Sequence, residues 1–130
     1  MPDHRFQVRV HYEDTDMGGV VYHANYLKFI ERARSDWVRG LGVDQNAMRE
    51  TDGMMFAISR IAADYLAPAR FDDVLEIVTD VVSAGGARLV MDQEVRHGAT
   101  RLFAARITIV CIARGGRPAR LPAIIRRQLR

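Results

Sequence analysis

Between positions 12 and 26 the chain gathers carboxylates, a glycine pair and a histidine: Tyr12-Glu13-Asp14-Thr15-Asp16-Met17-Gly18-Gly19-Val20-Val21-Tyr22-His23-Ala24-Asn25-Tyr26. Asp16 stands a few residues ahead of a segment with helical periodicity, across the Gly18-Gly19 pair. Glycine lets backbone N–H groups approach a ligand and tolerates unusual dihedrals. A helix N-terminus adds unpaired N–H donors and about half a unit of positive charge. A carboxylate beside such donors has the parts needed for acyl transfer to water: a nucleophile or general base next to an oxyanion hole. Asp and Gly are also ordinary turn and cap residues, so Asp14 or Asp16 could serve only as a cap, and Asn25 could cap the helix instead.

Other chemistries find less support. His11, His23, Asp14 and Asp16 lack a metal-ligand spacing, so no metal is expected. No Gly-Xaa-Ser-Xaa-Gly elbow or phosphate loop occurs. The single cysteine, Cys111, lies in the apolar run 107–113, where a buried, inert thiol is expected. It allows no internal disulfide and suits a reducing cytoplasm. The N-terminus shows no apolar run of signal-peptide length, and no segment approaches the ~18 apolar residues of a membrane span. A cytoplasmic location is therefore expected.

The elements that must position Asp16 follow from periodicity. Alternation from Phe6 to Tyr12 predicts a half-buried strand. Tyr26, Phe29, Ile30, Ala33, Trp37 and Leu41 recur at helical spacing and predict an amphipathic helix over 22–39. Arg32 and Asp36 are spaced to pair on it, and Gly40 and Gly42 are stops. Residues 44–50 predict a short second helix, with Asp52-Gly53 as a turn. Strand-like runs follow at 54–66, 74–83, 88–96 and 101–113. Their short connections predict antiparallel pairing, with the last two, the most apolar, in the centre. A helix of roughly 24 Å matches strands of roughly 26 Å. The expected fold class is α+β: an antiparallel five-stranded sheet wrapped around one long central helix. Its uncovered face and edges predict a homodimer.

A chain of 130 residues, 48% hydrophobic and 27% charged, suits one globular domain over 1–130. The net charge of +3 is local: residues 114–130 carry six Arg and no acid. This basic C-terminal tail reads as solvated. It could also meet CoA phosphates, an acidic acyl-carrier protein or an anionic membrane surface as a peripheral contact. No aromatic-interleaved basic stripe accompanies it, so nucleic acid is not expected.

The stretch quoted above, continued through Leu27-Lys28-Phe29-Ile30-Glu31-Arg32-Ala33-Arg34, closely resembles the signature of the 4-hydroxybenzoyl-CoA thioesterase family. A second block, Tyr65-Leu66-Ala67-Pro68-Ala69-Arg70-Phe71-Asp72-Asp73-Val74-Leu75-Glu76-Ile77, supports the resemblance, which covers about residues 5 to 115. The chain looks most like the branch associated with the bacterial Tol-Pal envelope system. The resemblance implies a hotdog fold, active sites at a dimer interface, and in many members a tetramer. It implies hydrolysis of acyl-CoA to free acid and CoA, with coenzyme A as part of the substrate and no separate cofactor. The family's catalytic aspartate falls on Asp16 and its carbonyl-polarising N–H on His23. Whether the carboxylate attacks the carbonyl or activates water stays open. Tyr12, Gly19, Val20, Val21, Tyr22 and the His23 side chain would line the pocket. Phe56, Ser59 and Arg60 of strand 54–60 would join them from the partner subunit. The 4-hydroxybenzoyl type has a threonine where Phe56 stands, and its phosphate-binding lysines fall on Gly86 and Ala87. An aliphatic acyl group therefore fits better than a benzoyl one. Arg88, Arg60 or the tail would replace the lysines. The alternative to an enzyme is a scaffold that binds acyl-carrier protein or lipid-synthesis enzymes at the cell envelope.

Overall fold

The structure is a computed structural model, and it describes residues 4–128. Strand β1 (His4–Arg9) leads through a 3-10 turn (Tyr12–Asp14) to the long helix α1 (Asn25–Gly40). A short helix α2 (Gln45–Ala47) and a π turn (Met48–Asp52) follow. Strands β2 (Met54–Tyr65), β3 (Val74–Gly85), β4 (Arg88–His97) and β5 (Thr100–Ala113) complete the sheet, and helix α3 (Ala123–Arg126) closes the described chain. The sheet is antiparallel with order β1-β3-β4-β5-β2. β4 and β5 are interior, as their apolar runs predict, and β1 and β2 are the edges.

Alternation along the strands builds the core. Leu89, Met91, Gln93 and Val95 of β4 and Phe103, Ala105, Ile107, Ile109 and Cys111 of β5 are buried on the inner face. They pack against Tyr26, Phe29, Ile30, Ala33, Trp37 and Val38 of α1. The opposite face carries charge: Arg106 donates two bonds to Asp92, at 2.8 and 2.9 Å, and Arg96 and Arg101 both meet Glu94.

Several boundaries differ from the sequence expectation. β1 stops at Arg9, not Tyr12, because the chain turns into the 3-10 segment, where the Asp14 carboxylate accepts from the His11 N–H at 2.8 Å. α1 opens at Asn25, not Tyr22, since Tyr22 and His23 belong to the turn that feeds it. No side chain caps α1, and Asn25 instead donates to the Asp14 carbonyl at 2.9 Å. The Arg32–Asp36 pair does not form: Asp36 is taken by His4 at 2.8 Å and Arg39, while Arg32 lies over the Phe29 ring. The tail is not simply solvated. Leu121 and Ile125 are buried in the core, and Ala119 and Leu121 bond back to Cys111 and Gly86.

α1 lies over β1, β3 and β4. Much of the inner face of β2 is therefore open, with Ile58, Ile61 and Tyr65 partly exposed along a twelve-residue edge strand.

Candidate active site

The segment around Asp16 is shaped by backbone bonds. The Asp16 N–H donates to Val20 O at 2.9 Å, and the Gly19 N–H donates to Asp16 O at 3.0 Å. Gly19 sits at φ +78°, a conformation that favours glycine. The Asp16 carboxylate accepts from the Gly18 N–H at 2.9 Å, and a Cβ at Gly18 would lie 3.2 Å from that same oxygen. Gly18 thus holds the carboxylate, and Gly19 shapes the turn that carries it. Bridges from Thr15 to Val21 and from Val20 to Arg70, with Val21 N–H on Ala69 O at 2.8 Å, fix the turn to the body of the fold. Asp16 itself is exposed.

The helix opening lies beside it. The Tyr22 N–H is used by Asp14 O and the Asn25 N–H by Tyr22 O. The His23 and Ala24 N–H groups donate to no acceptor among the described residues. They are the unpaired donors that a helix N-terminus supplies. The His23 ring is exposed and leans on the Tyr22 ring at 4.5 Å. Tyr12 is exposed and meets Phe71 edge-on at 6.5 Å.

One residue here escaped the sequence reading of the site. Tyr65, at the end of β2, donates from Oη to the His23 carbonyl at 2.8 Å and packs edge-on to Tyr26. It lies within the second resemblance block, but nothing in sequence spacing connects it to a helix start 42 positions earlier.

The structure brings together Tyr12, Asp16, Gly19, Val20, Val21, Tyr22 and His23, and it separates them from the rest. Phe56 pairs with Cys111, and Arg88 pairs with the adjacent Val110, whereas Tyr65 pairs with Phe103 at the far end of β5. Phe56 and Tyr65 lie nine residue steps apart along β2, about 30 Å at ~3.3 Å each. Asp16 and Phe56 therefore occupy opposite ends of one chain. Phe56 faces inward with Cys111 and Ile58 with Ile109, while Arg60 and Arg88 pair with the outward Thr108 and Val110. Ser59 is the extra residue of a bulge in β2, and its hydroxyl reaches Thr108 O at 3.4 Å.

A cleft of about 130 Å³ opens at the Phe56 end, between the C-terminal half of α1 and the inner sheet face. Phe56, Ile58, Leu89, Met91 and Ile109 form its apolar floor, and Glu31, Arg34, Ser35 and Gln45 its polar wall. Burial pulls the Arg34 guanidinium below the usual arginine range, partly opposed by the charge of Glu31. Burial pushes the Cys111 thiol up, away from the thiolate a nucleophile needs. Among the described residues, no three His, Cys, Asp or Glu side chains gather to hold a metal ion. No helix among them is long and apolar enough to cross a membrane.

A single long helix wrapped by a five-stranded antiparallel sheet, with an acidic turn at the helix opening, defines a hotdog-fold protein. Comparison with known proteins agrees. Residues 18–104 match the family described as "Thioesterase superfamily". An "Acyl-CoA thioesterase YbgC" of Haemophilus influenzae is 40% identical over 85% of this chain and 81% of its own length. An "Acyl-CoA thioester hydrolase YbgC" of Escherichia coli O6:H1 is 43% identical over 83% and 81%. A solved structure, "Probable Thioesterase from Bartonella henselae", superposes with a TM-score of 0.88 at 38% identity, covering 93% of this chain and all of that one. The chain belongs to the thioesterase superfamily, and it is a hydrolase.

Proposed function

We propose that this protein hydrolyses aliphatic acyl-CoA thioesters to a free acid and CoA, at sites shared between two copies of the chain. The observation that carries the reading is the Asp16 carboxylate, fixed by the Gly18 N–H beside a helix opening whose His23 N–H is unpaired. The names of the similar proteins supply the substrate class.

The thioester carbonyl oxygen would accept from the His23 N–H, so negative charge developing on it is met by a donor already in place. Asp16 would then act in one of two ways. As a nucleophile, its oxygen bonds to the carbonyl carbon, the C–S bond breaks, and CoA leaves as a thiolate that takes a proton. Water then cleaves the resulting anhydride. As a general base, it takes a proton from water as the water oxygen attacks, and the proton ends on the departing sulfur. Both routes give the same products.

The open edge supports a dimer. Unpaired backbone groups and exposed Ile58, Ile61 and Tyr65 along β2 invite a second strand. Antiparallel two-fold pairing of β2 with its copy would set the Asp16 end of one subunit against the Phe56 end of the other. That arrangement reunites the two groups of site residues that one chain keeps about 30 Å apart. Scaffolding of acyl-carrier protein through residues 114–130 has less support, because Leu121 and Ile125 spend part of that segment on the core.

The test is thiol release from a panel of acyl-CoAs by wild type and Asp16→Asn. A loss of roughly 100-fold or more is expected, the usual worth of a positioned base or nucleophile. Full activity in the variant, or no turnover of any acyl-CoA by wild type, would sink the reading.

A further inference from the structure

Building on the hydrolase reading above, we infer that the cleft at the Phe56 end receives the acyl group, and that Arg34 selects acyl groups whose far end carries a carboxylate. In the two-fold pair proposed above, this cleft would lie across from the Asp16 end of the second copy. Its volume of about 130 Å³ is close to the ~150 Å³ of an apolar cavity that admits benzene, which suits a short chain. The floor is apolar, as the methylenes of such a chain require.

The far wall does not suit a plain alkyl end. Arg34 lines the cleft and takes part in none of the ion pairs found among the described residues. Its Nη1 donates to Oε1 of Gln93 at 2.9 Å. Gln93 is fully buried, and its own Nε2 is spent on the Ile30 carbonyl at 2.9 Å and the Thr79 hydroxyl at 3.0 Å. The guanidinium is thus aimed by an amide that cannot turn. Glu31 shares the cleft wall one turn earlier, but it is exposed and does not pair with Arg34. A half-buried cation whose one direct hydrogen-bond partner is neutral, with the exposed Glu31 acting only at a distance, is costly unless an anion completes it. The planar fork of Arg matches a carboxylate with two parallel bonds. A site built to bond a polar group also discriminates against a ligand that lacks it, because its own donors are then left unmet.

The experiment compares glutaryl-CoA with pentanoyl-CoA, which has the same number of acyl carbons but no terminal carboxylate. Calorimetry on the Asp16→Asn variant should show glutaryl-CoA binding roughly 10- to 100-fold tighter, the range for a charge-assisted hydrogen bond. Adding Arg34→Met should remove that preference while pentanoyl-CoA still binds, and Arg34→Lys should keep part of it. Equal or weaker binding of glutaryl-CoA overturns the inference without recourse to any Arg34 variant. It would mean that Arg34 serves the helix–sheet contact or a carboxylate of the second copy. Should Asp16→Asn still cleave the thioesters, the catalytic reading falls instead, and the kcat/KM ratio of the two substrates in wild type judges Arg34.

Discussion

At the scale of single residues, the site depends on groups that fix the backbone around the helix opening. Tyr65 is one. Its hydroxyl holds the His23 carbonyl, next to the N–H proposed to polarise the substrate. Tyr65→Phe keeps the ring among Tyr26 and Phe103 and removes only that bond. We expect kcat to fall about fivefold with KM little changed, since ~1 kcal/mol of positioning converts to that factor. Steady-state kinetics beside a thermal melt would check this. A large drop in melting temperature with unchanged kcat would reassign Tyr65 to structure alone. Two buried acids set an alkaline limit on stability. Burial raises Tyr26, and it raises Cys111. A group whose folded pKa lies above its unfolded value stabilises fully below the unfolded pKa, and that contribution is lost as pH rises. Melting temperature should therefore fall above about pH 8.5, where the unfolded thiol ionises, and fall further above about pH 10, where the unfolded phenol follows. Cys111→Ala should weaken the lower part of that fall, measured by calorimetric scans across the range.

At the scale of elements, the long helix and five strands were legible because their apolar spacing is a local property. Phe29, Ile30 and Ala33 mark a stripe that only a helix can bury, and Leu89, Met91 and Val95 mark one sheet face. Asp16 was legible for a similar reason, because its glycines and the helix start are neighbours in sequence. What was not legible depends on contacts distant along the chain. The Tyr65–His23 bond spans 42 positions, and the Arg34–Gln93–Thr79 network joins a helix to two strands. The tail misled for the opposite reason: its arginines advertise solvent, while two apolar residues among them, Leu121 and Ile125, reach the core. Ile125→Ala should cost about 2–5 kcal/mol in urea unfolding, the range for a fully buried aliphatic side chain. A cost under ~0.5 kcal/mol would restore the solvated tail.

At the scale of the whole molecule, the proposed function makes each chain the bearer of two half-sites, one at each end of its sheet. Two defective variants should then rescue each other. Asp16→Asn spoils one half, and Phe56→Trp, which overfills the cleft floor, spoils the other. Unfolded together and refolded at equal ratio, half of the dimers would be mixed, and each would hold one intact site of two, giving about a quarter of wild-type activity. No recovery in the mixture would place the entire site within one chain. The split has a bearing on abundance. On that reading, a subunit that is correctly folded but alone would have every atom of the chemistry and no way to bring those atoms to one substrate. Output would therefore rise more steeply than protein number at low expression, and a cell could keep the hydrolysis silent simply by keeping copies scarce.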